Sequence, residues 1–282
     1  MHPILLKIGS LQIPTYGVLL ASGLMLAIYT VVRLGRREGL DRGRLLDFST
    51  WLIVVGLVGA KVLMIVTDWS SYRNNLTEIF SVATLEAGGV FYGGFIAATL
   101  FAAWYVRVYR LPVRKIFDVY APAIALGQSI GRLGCFAAGC DYGKPTKSFL
   151  AVIFTSSFAH EVTNVPLGVP LHPTQLYEST ATLLIFAVLL WRYSRKKRDG
   201  EIFLTYLVLY AVARFLLEFL RGDEDRGFVF NHLLSTSQFI ALLLLLVAAA
   251  LALLWYGRAD KRAVKETAAA PEMVRQAKRV RS

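Results

Sequence analysis

At 282 residues, 56% hydrophobic and formally +12 at neutral pH, the chain carries repeated runs of about 20 apolar residues, more than one water-soluble core needs. It reads as an all-α polytopic membrane protein. The basic residues are dispersed among loops, which argues against nucleic acid as a partner and for membrane orientation and contact with anionic headgroups.

Met1–Ser10 lacks the basic n-region and cleavable apolar core of a secretory signal, so the first apolar run is expected to be a retained span. Seven spans follow in order: Pro14–Leu34, Leu46–Thr67, Gly88–Val108, Ile116–Cys140, Pro173–Tyr193, Gly200–Leu220 and Leu233–Trp255. Five Lys/Arg lie in Arg33–Arg44, four in Arg107–Lys115, five in Arg192–Arg198 and eight after Gly257, against six in the alternate segments. The positive-inside rule then places the N-terminus outside and the C-terminus in the cytoplasm. Residues 1–257 are expected to form the membrane domain, and 258–282 a basic cytoplasmic tail that touches anionic lipid. Between the fourth and fifth spans, residues 141–171 hold turn formers and an apolar β-rich piece, Leu150–Phe154, and predict a small extracytoplasmic cap. No internal repeat is visible, which argues against the inverted-repeat transporters.

Three basic residues remain within the spans: Lys61, Arg132 and Arg214. A guanidinium at the centre of a spanning helix costs about 2.5–3.5 kcal/mol on insertion scales, so each needs an anionic partner. At 1.5 Å per residue Arg132 lies about 24 Å, and Arg214 about 20 Å, from the inner end of its span, within a core about 30 Å thick. Both belong to the outer half. Tyr16, the glycine pairs around Tyr92 (Gly88, Gly89, Gly93, Gly94), and His172, Gln175, Tyr177 and Glu178 open the spans that run inward, so polar residues converge at one depth. A transport pathway places its ionisable groups nearer the midplane.

Arg214, Glu218 and Arg221 stand at i, i+4 and i+7, one helical face, and an intrahelical ion pair explains the first two. Arg132 has only Asp118 in its own span, four turns away. Glu178 or Glu218 can pair with it across helices, leaving a net positive cluster once Arg214 and Lys61 are counted. A phosphodiester is the natural missing anion, because arginine's planar fork suits phosphate oxygens. The glycines permit either close helix packing or exposed N–H groups that face an anion. His172 either caps its span or, sharing a face with Gln175 and Ser179, lines a polar site, and Tyr16 and Tyr177 are equally placed for an interfacial belt. On a continuous helix Cys135 and Cys140 do not share a face, and two sulfurs are half a zinc site; interface packing and a local disulfide are the readings open.

Tyr16-Gly17, GGVFYGG (Gly88–Gly94), GRLGCFAAGCDYG (Gly131–Gly143), HPTQLYE (His172–Glu178) and RFLLEFLRGDE (Arg214–Glu224) resemble, in order and spacing, the bacterial phosphatidylglycerol–prolipoprotein diacylglyceryl transferases, over residues 10–256. The resemblance implies a seven-span enzyme of the bacterial inner membrane with its active site toward the extracytoplasmic leaflet. Such an enzyme moves a diacylglyceryl group from phosphatidylglycerol to the lipobox cysteine of a prolipoprotein, releasing glycerol phosphate, with no metal or organic cofactor. It implies that Arg132 binds the lipid phosphate, that Arg214 meets the headgroup or developing charge with Glu218 orienting it, and that the glycine-rich segment ending at Gly143 shapes the pocket. Tyr16, Gly93, Gly94, Cys135, Gln175, Tyr177 and Glu178 are the further substrate-binding candidates. Two positions depart from the family's better-known pattern: Tyr92 stands where a histidine is usual, and Cys135 where an asparagine is. Tyrosine, with a pKa near 10, is a poor base at neutral pH, so Tyr92 is expected to position substrate, with His172, Glu178 or a field-stabilised thiolate taking the proton. The second reading is a non-catalytic phospholipid-binding or transport paralogue on the same scaffold.

Overall fold

The computed structural model describes the backbone of residues 3–8, 11–73, 75–81, 84, 89–223, 227–229 and 233–279. Gly88 and Glu224 of the motifs, and the side chains of the basic extension 258–282, lie outside the described residues. The chain opens with an antiparallel hairpin, β1 (Ile4–Ile8) and β2 (Leu11–Pro14), followed by α1 (Thr15–Arg37), α2 (Arg42–Thr67), a single turn α3 (Trp69–Tyr72) and α4 (Phe91–Val108). Then come α5 (Val113–Ala138), β3 (Val152–Ile153), α6 (Ser157–Thr163), β4 (Pro170–Leu171), α7 (Thr174–Tyr193) and α8 (Glu201–Leu217). A second hairpin, β5 (Phe228–Val229) and β6 (Leu234–Ser235), leads into α9 (Thr236–Arg279).

Among the described residues six helices are long and apolar enough to cross a membrane: α1, α2, α4, α7, the segment Glu201–Leu220, and Thr236–Gly257 within α9. The chain is a polytopic membrane protein. The expected fourth span, α5, is 26 residues long, but Asp118, Gln128, Ser129 and Arg132 set it apart from those six. Leu57, Leu100, Leu246 and Leu253 stay more than half exposed, as lipid-facing side chains do.

The residues group into two compact units, Ile28–Val119 and Met1–Ala27 with Tyr120–Ser282. In the Ile28–Val119 unit, α2 and α4 approach through small residues. A Cβ on Gly94 would come within 2.8 Å of the Gly56 carbonyl oxygen, and one on Gly93 would strike the Gly59 carbonyl and the Leu63 side chain. With lipid outside, helices gain little from burying apolar surface against each other, so close backbone approach supplies the dispersion contacts that hold them. The N–H groups of Gly93 and Gly94 both point at the Val90 carbonyl, at 3.0 and 3.5 Å. These glycines therefore serve packing here.

In the second unit α8 packs against both α7 and α9. Gly23 of α1 lies against α5, where a Cβ would meet the Gly127 carbonyl and Ile130 at 3.3 Å. Ser129 and Ser179 link α5 to α7 by mutual hydroxyl-to-carbonyl bonds of 2.9 and 2.8 Å. Residues 141–171 hold a small core of their own: Phe154, Ala159, Val165 and Leu171 are buried, with Phe136 and Tyr142 against them and β3 paired to β4. Two expected helix ends differ. α5 stops at Ala138 rather than running to Cys140, because Gly139 takes a left-handed φ of +89° and its N–H bonds the Cys135 carbonyl at 2.9 Å. α8 stops at Leu217 and tightens to a 3-10 turn over Glu218–Leu220, which takes Arg221 into extended backbone and off the face of Arg214.

Gly93→Ala should lower the unfolding stability of the detergent-solubilised protein by about 2 kcal/mol, the cost of overpacking a tight interface. A denaturation midpoint equal to that of the parent chain would show that the α2–α4 approach contributes nothing.

Candidate functional site

Of the residues that the sequence assigns to Arg132's neighbourhood, Glu178 meets it directly, at the end of α5. Arg132 Nη1 donates to Asp141 Oδ2 at 2.5 Å and Nε lies 3.0 Å from Glu178 Oε1 on α7. The same Nη1 lies 3.9 Å from the Cys135 sulfur. Nη2 makes no hydrogen bond among the described residues. Glu178 was one of two expected partners and takes that place; Asp141 was not foreseen.

Asp141 is the junction. Its Oδ1 accepts from Arg221 Nη2 at 2.5 Å, so one carboxylate joins two guanidiniums. Arg221 also holds Asp223, with Nε donating to Oδ1 at 2.8 Å and the same Nη2 to Oδ2. This replaces the expected shared face of Arg214, Glu218 and Arg221: only the first pair survives, with Arg214 Nη1 to Glu218 Oε2 at 2.5 Å and Nη2 to Ser237 Oγ at 2.7 Å. Glu218 is only 2% exposed. Three guanidiniums, Arg132, Arg214 and Arg221, thus meet four carboxylates, Asp141, Glu178, Glu218 and Asp223, so the expected net positive cluster is instead near neutral, with one more carboxylate than guanidinium.

Burial opposes ionisation of Asp141, but the Arg132 and Arg221 guanidiniums outweigh it and hold the carboxyl below its ordinary pKa. Burial likewise works against the Arg221 charge, and Asp223 and Asp141 more than offset it, raising its pKa. Asp141 and Arg221 are therefore held in their charged forms together.

The backbone around this junction is narrowly fixed. Gly143 N–H donates to the His172 carbonyl at 3.1 Å, Lys144 N–H to Leu220 at 2.9 Å, and Gly222 N–H to Tyr142 at 3.0 Å. A Cβ on Gly143 would strike the His172 carbonyl and come within 2.9 Å of Thr174, so only glycine lets this strand pass between the two flanking segments. Thr174 Oγ1 donates to the Asp141 carbonyl and Gln175 Nε2 to the Cys140 carbonyl, each at 2.7 Å. Gln175 is 1% exposed, and its Oε1 has no hydrogen-bond partner among the described residues.

His172 sits before α7, whose N-cap is Pro173, and so does not share a helical face with Gln175 and Ser179. Its Nδ1 lies 3.3 Å from the Tyr177 hydroxyl. Tyr16, at the start of α1, lays its ring on Gly134, where a Cβ would lie 3.0 Å from Cδ2. Lys144, Glu218, Ser235 and Gln238 line a cavity of about 130 Å³ beside the Arg214 pair. Tyr92, Gly93 and Gly94 belong to the other unit, with Tyr92 half-exposed on the first turn of α4. Lys61 is also there, its Nζ donating to the Thr84 carbonyl at 2.6 Å.

A family model described as prolipoprotein diacylglyceryl transferase matches residues 3–256. The chain belongs to that family. A protein of Clostridium tetani named phosphatidylglycerol–prolipoprotein diacylglyceryl transferase is 38% identical over 249 residues, covering 88% of this chain and 95% of its own. A Clostridium perfringens protein named phosphatidylglycerol–prolipoprotein diacylglyceryl transferase 2 is 33% identical, covering 87% and 92%. A Listeria innocua protein bearing the first name is 31% identical over 249 residues, covering 88% and 87%. The match spans Arg132, the cap and the Arg214 pair alike. Asp141, Asp223 and Ser237 are not among the residues that the sequence singles out; the signal that could have found Asp141 is its place as the one acidic residue of the arginine motif Gly131–Gly143.

Asp141→Asn should cost about 2 kcal/mol of stability, less than a fully buried pair because the carboxylate keeps partial access to water. For a depressed carboxylate the contribution is complete above the ordinary pKa of about 3.9 and is lost as pH falls through the lower folded value. Parent and variant should therefore keep a constant stability gap down to about pH 4 and converge only as pH falls further, toward the depressed folded value; a gap that already closes above about pH 5 would argue against the ion pair.

Proposed function

We propose that this chain transfers the diacylglyceryl group of phosphatidylglycerol to the lipobox cysteine thiol of prolipoproteins, the first step of lipoprotein maturation. The observation that carries this reading is Arg132, which two carboxylates orient through Nη1 and Nε while Nη2 makes no hydrogen bond among the described residues. The names of the relatives at 38% and 33% identity support the same substrates.

In this reaction the thiol sulfur attacks the glycerol carbon that bears the phosphodiester. A carbon–sulfur bond forms, the carbon–oxygen bond breaks, and glycerol phosphate leaves with the electron pair. Arg132 binds the phosphate through Nη2, and Arg214, fixed by Glu218 and Ser237, meets the charge that develops on the leaving group. Glu178 orients Arg132. Gly143, Tyr16, Cys135, Gln175 and Tyr177 bound the headgroup. By its place in the motif Tyr92 orients the incoming thiol, with Gly93 and Gly94 setting the helix that carries it. A thiol of pKa about 8.5 is mostly protonated at neutral pH, so its proton needs an acceptor. His172 takes that role: Tyr177 fixes its Nδ1 side, leaving the other ring nitrogen for the thiol. Glu178 is less suited, being committed to Arg132.

The same reading makes α5 the seventh span, the N-terminus external, and 141–171 a cap over the outer leaflet of the bacterial inner membrane. The excess of Lys and Arg in Arg33–Arg44, Arg107–Lys115, Arg192–Arg198 and the segment after Gly257 over the alternate segments supports it.

The purified chain, given phosphatidylglycerol and a lipobox peptide, should yield a thioether-linked diacylglyceryl peptide. Arg132→Ala should reduce turnover by about 10²–10³-fold, the usual loss for one charge-stabilising donor. A variant with most of its turnover intact would remove Arg132 from the phosphate site, and lipid retention without peptide modification by the parent would favour the paralogue reading. His172→Ala should slow the reaction about 10²-fold and abolish the acid limb of its pH–rate profile. An unchanged acid limb would exclude His172 as the proton acceptor.

A further inference from the structure

The proposed reaction leaves the Cys140 thiol without a task. On a continuous helix it would point away from Cys135, but the turn at Gly139 brings it back over the last turn of α5. The Cys140 sulfur lies 3.7 Å from the Cys135 carbonyl oxygen, and the two sulfurs are within 4.8 Å of each other. Both are free thiols and both are partly exposed, so a reagent can reach them.

Two chemistries use such a pair. A soft divalent metal would take both sulfurs and the neighbouring Asp141 carboxylate, whose ligand atom lies within the same 4.8 Å. That carboxylate is already spent: each oxygen accepts from a guanidinium at 2.5 Å, and the two positive charges repel a cation. Covalent closure of the sulfurs needs no third ligand. A disulfide holds its sulfurs about 2.0 Å apart, so closure draws the two residues together.

We propose that Cys135 and Cys140 form a reversible dithiol–disulfide pair, an oxidation site built against Arg132, and that closing it weakens phosphatidylglycerol binding. The oxidant is a low-molecular-weight or protein disulfide. One thiolate attacks that disulfide and forms a mixed disulfide, expelling the first thiol of the reagent. The second cysteine then attacks the protein sulfur and expels the second. The pair loses two electrons and two protons, and the reagent gains them as two thiols.

The coupling to lipid runs through three contacts. The Cys135 sulfur lies 3.9 Å from Arg132 Nη1, the Cys140 carbonyl accepts from Gln175 at 2.7 Å, and Cys140 is joined directly to Asp141. Pulling the sulfurs together shifts the support of the guanidinium at both ends. The effect on lipid rests on the reading of Arg132 as the phosphate ligand; formation of the bond does not.

The full chain in detergent, incubated with glutathione disulfide or with dithiothreitol, tests this by intact mass and by binding of phosphatidylglycerol. The oxidised chain should be lighter by two hydrogens, remain a single polypeptide, and bind the lipid at least about tenfold more weakly, with recovery on reduction. Cys140→Ser should show neither the mass loss nor any oxidant dependence of binding. Stable glutathione adducts on both cysteines, zinc bound one-to-one through both thiols, or a closed disulfide with unchanged lipid affinity would each overturn the proposal. Lipid binding absent already in the reduced chain would strike the Arg132 reading instead, and the mass measurement would still decide whether the bond forms.

Discussion

One carboxylate, Asp141, is shared by two guanidiniums, and the second unit is arranged around that fact. Arg132 comes from the end of α5 and Arg221 from the segment after α8, each at 2.5 Å from an oxygen of the same side chain. Isolated, either cation beside apolar helices would be costly. Shared, they are neutralised together, and the two chain segments cannot separate without exposing a buried charge. Glu178 extends the junction to α7 and Asp223 closes its far side. Electrostatics therefore fixes the relative placement of three elements that apolar packing against lipid leaves weakly specified.

The backbone bears the conformational cost of this arrangement. Gly139 and Asp141 both adopt left-handed φ, +89° and +58°, to turn the chain back across the helix end. Glycine takes that region freely, and aspartate is among the side chains that tolerate it best. Gly143 then lets the strand thread between His172 and Leu220 with its hydrogen bonds made on both sides. A glycine-rich motif beside an arginine is needed here for geometry first. Its position next to the guanidinium follows because the same turn delivers Asp141.

Most of the helices were legible because long apolar runs leave few alternatives, and the Arg214–Glu218 pair was legible because i, i+4 spacing is local. Arg132's second partner was hidden for the opposite reason. With α5 extended to Cys140, Asp141 falls in a loop beyond the helix, and the left-handed turn that returns it is not expressed in hydropathy. The same error separated the two cysteines. Arg221 was placed on the Arg214 face since a continuous helix puts it there; the tightening at Glu218 moves it to Asp141. Gly93 and Gly94 allowed two roles in sequence, and only the approach of α2 identifies packing as one they perform.

The near balance of charge bears on catalysis as much as on folding. A strongly cationic pocket would hold phosphatidylglycerol and glycerol phosphate alike, and the product, with the higher charge, would leave slowly. Such uniform attraction does not speed the chemical step. In the proposed reaction, four carboxylates facing three guanidiniums leave no net positive field in the ground state while fixing each guanidinium in direction, so stabilisation is concentrated along the donors that remain open. Those donors gain most when negative charge accumulates on the leaving oxygen, which is the condition for lowering the barrier rather than only tightening binding. An arginine first shielded by its own protein is thereby better suited to a departing phosphate than an unpaired one.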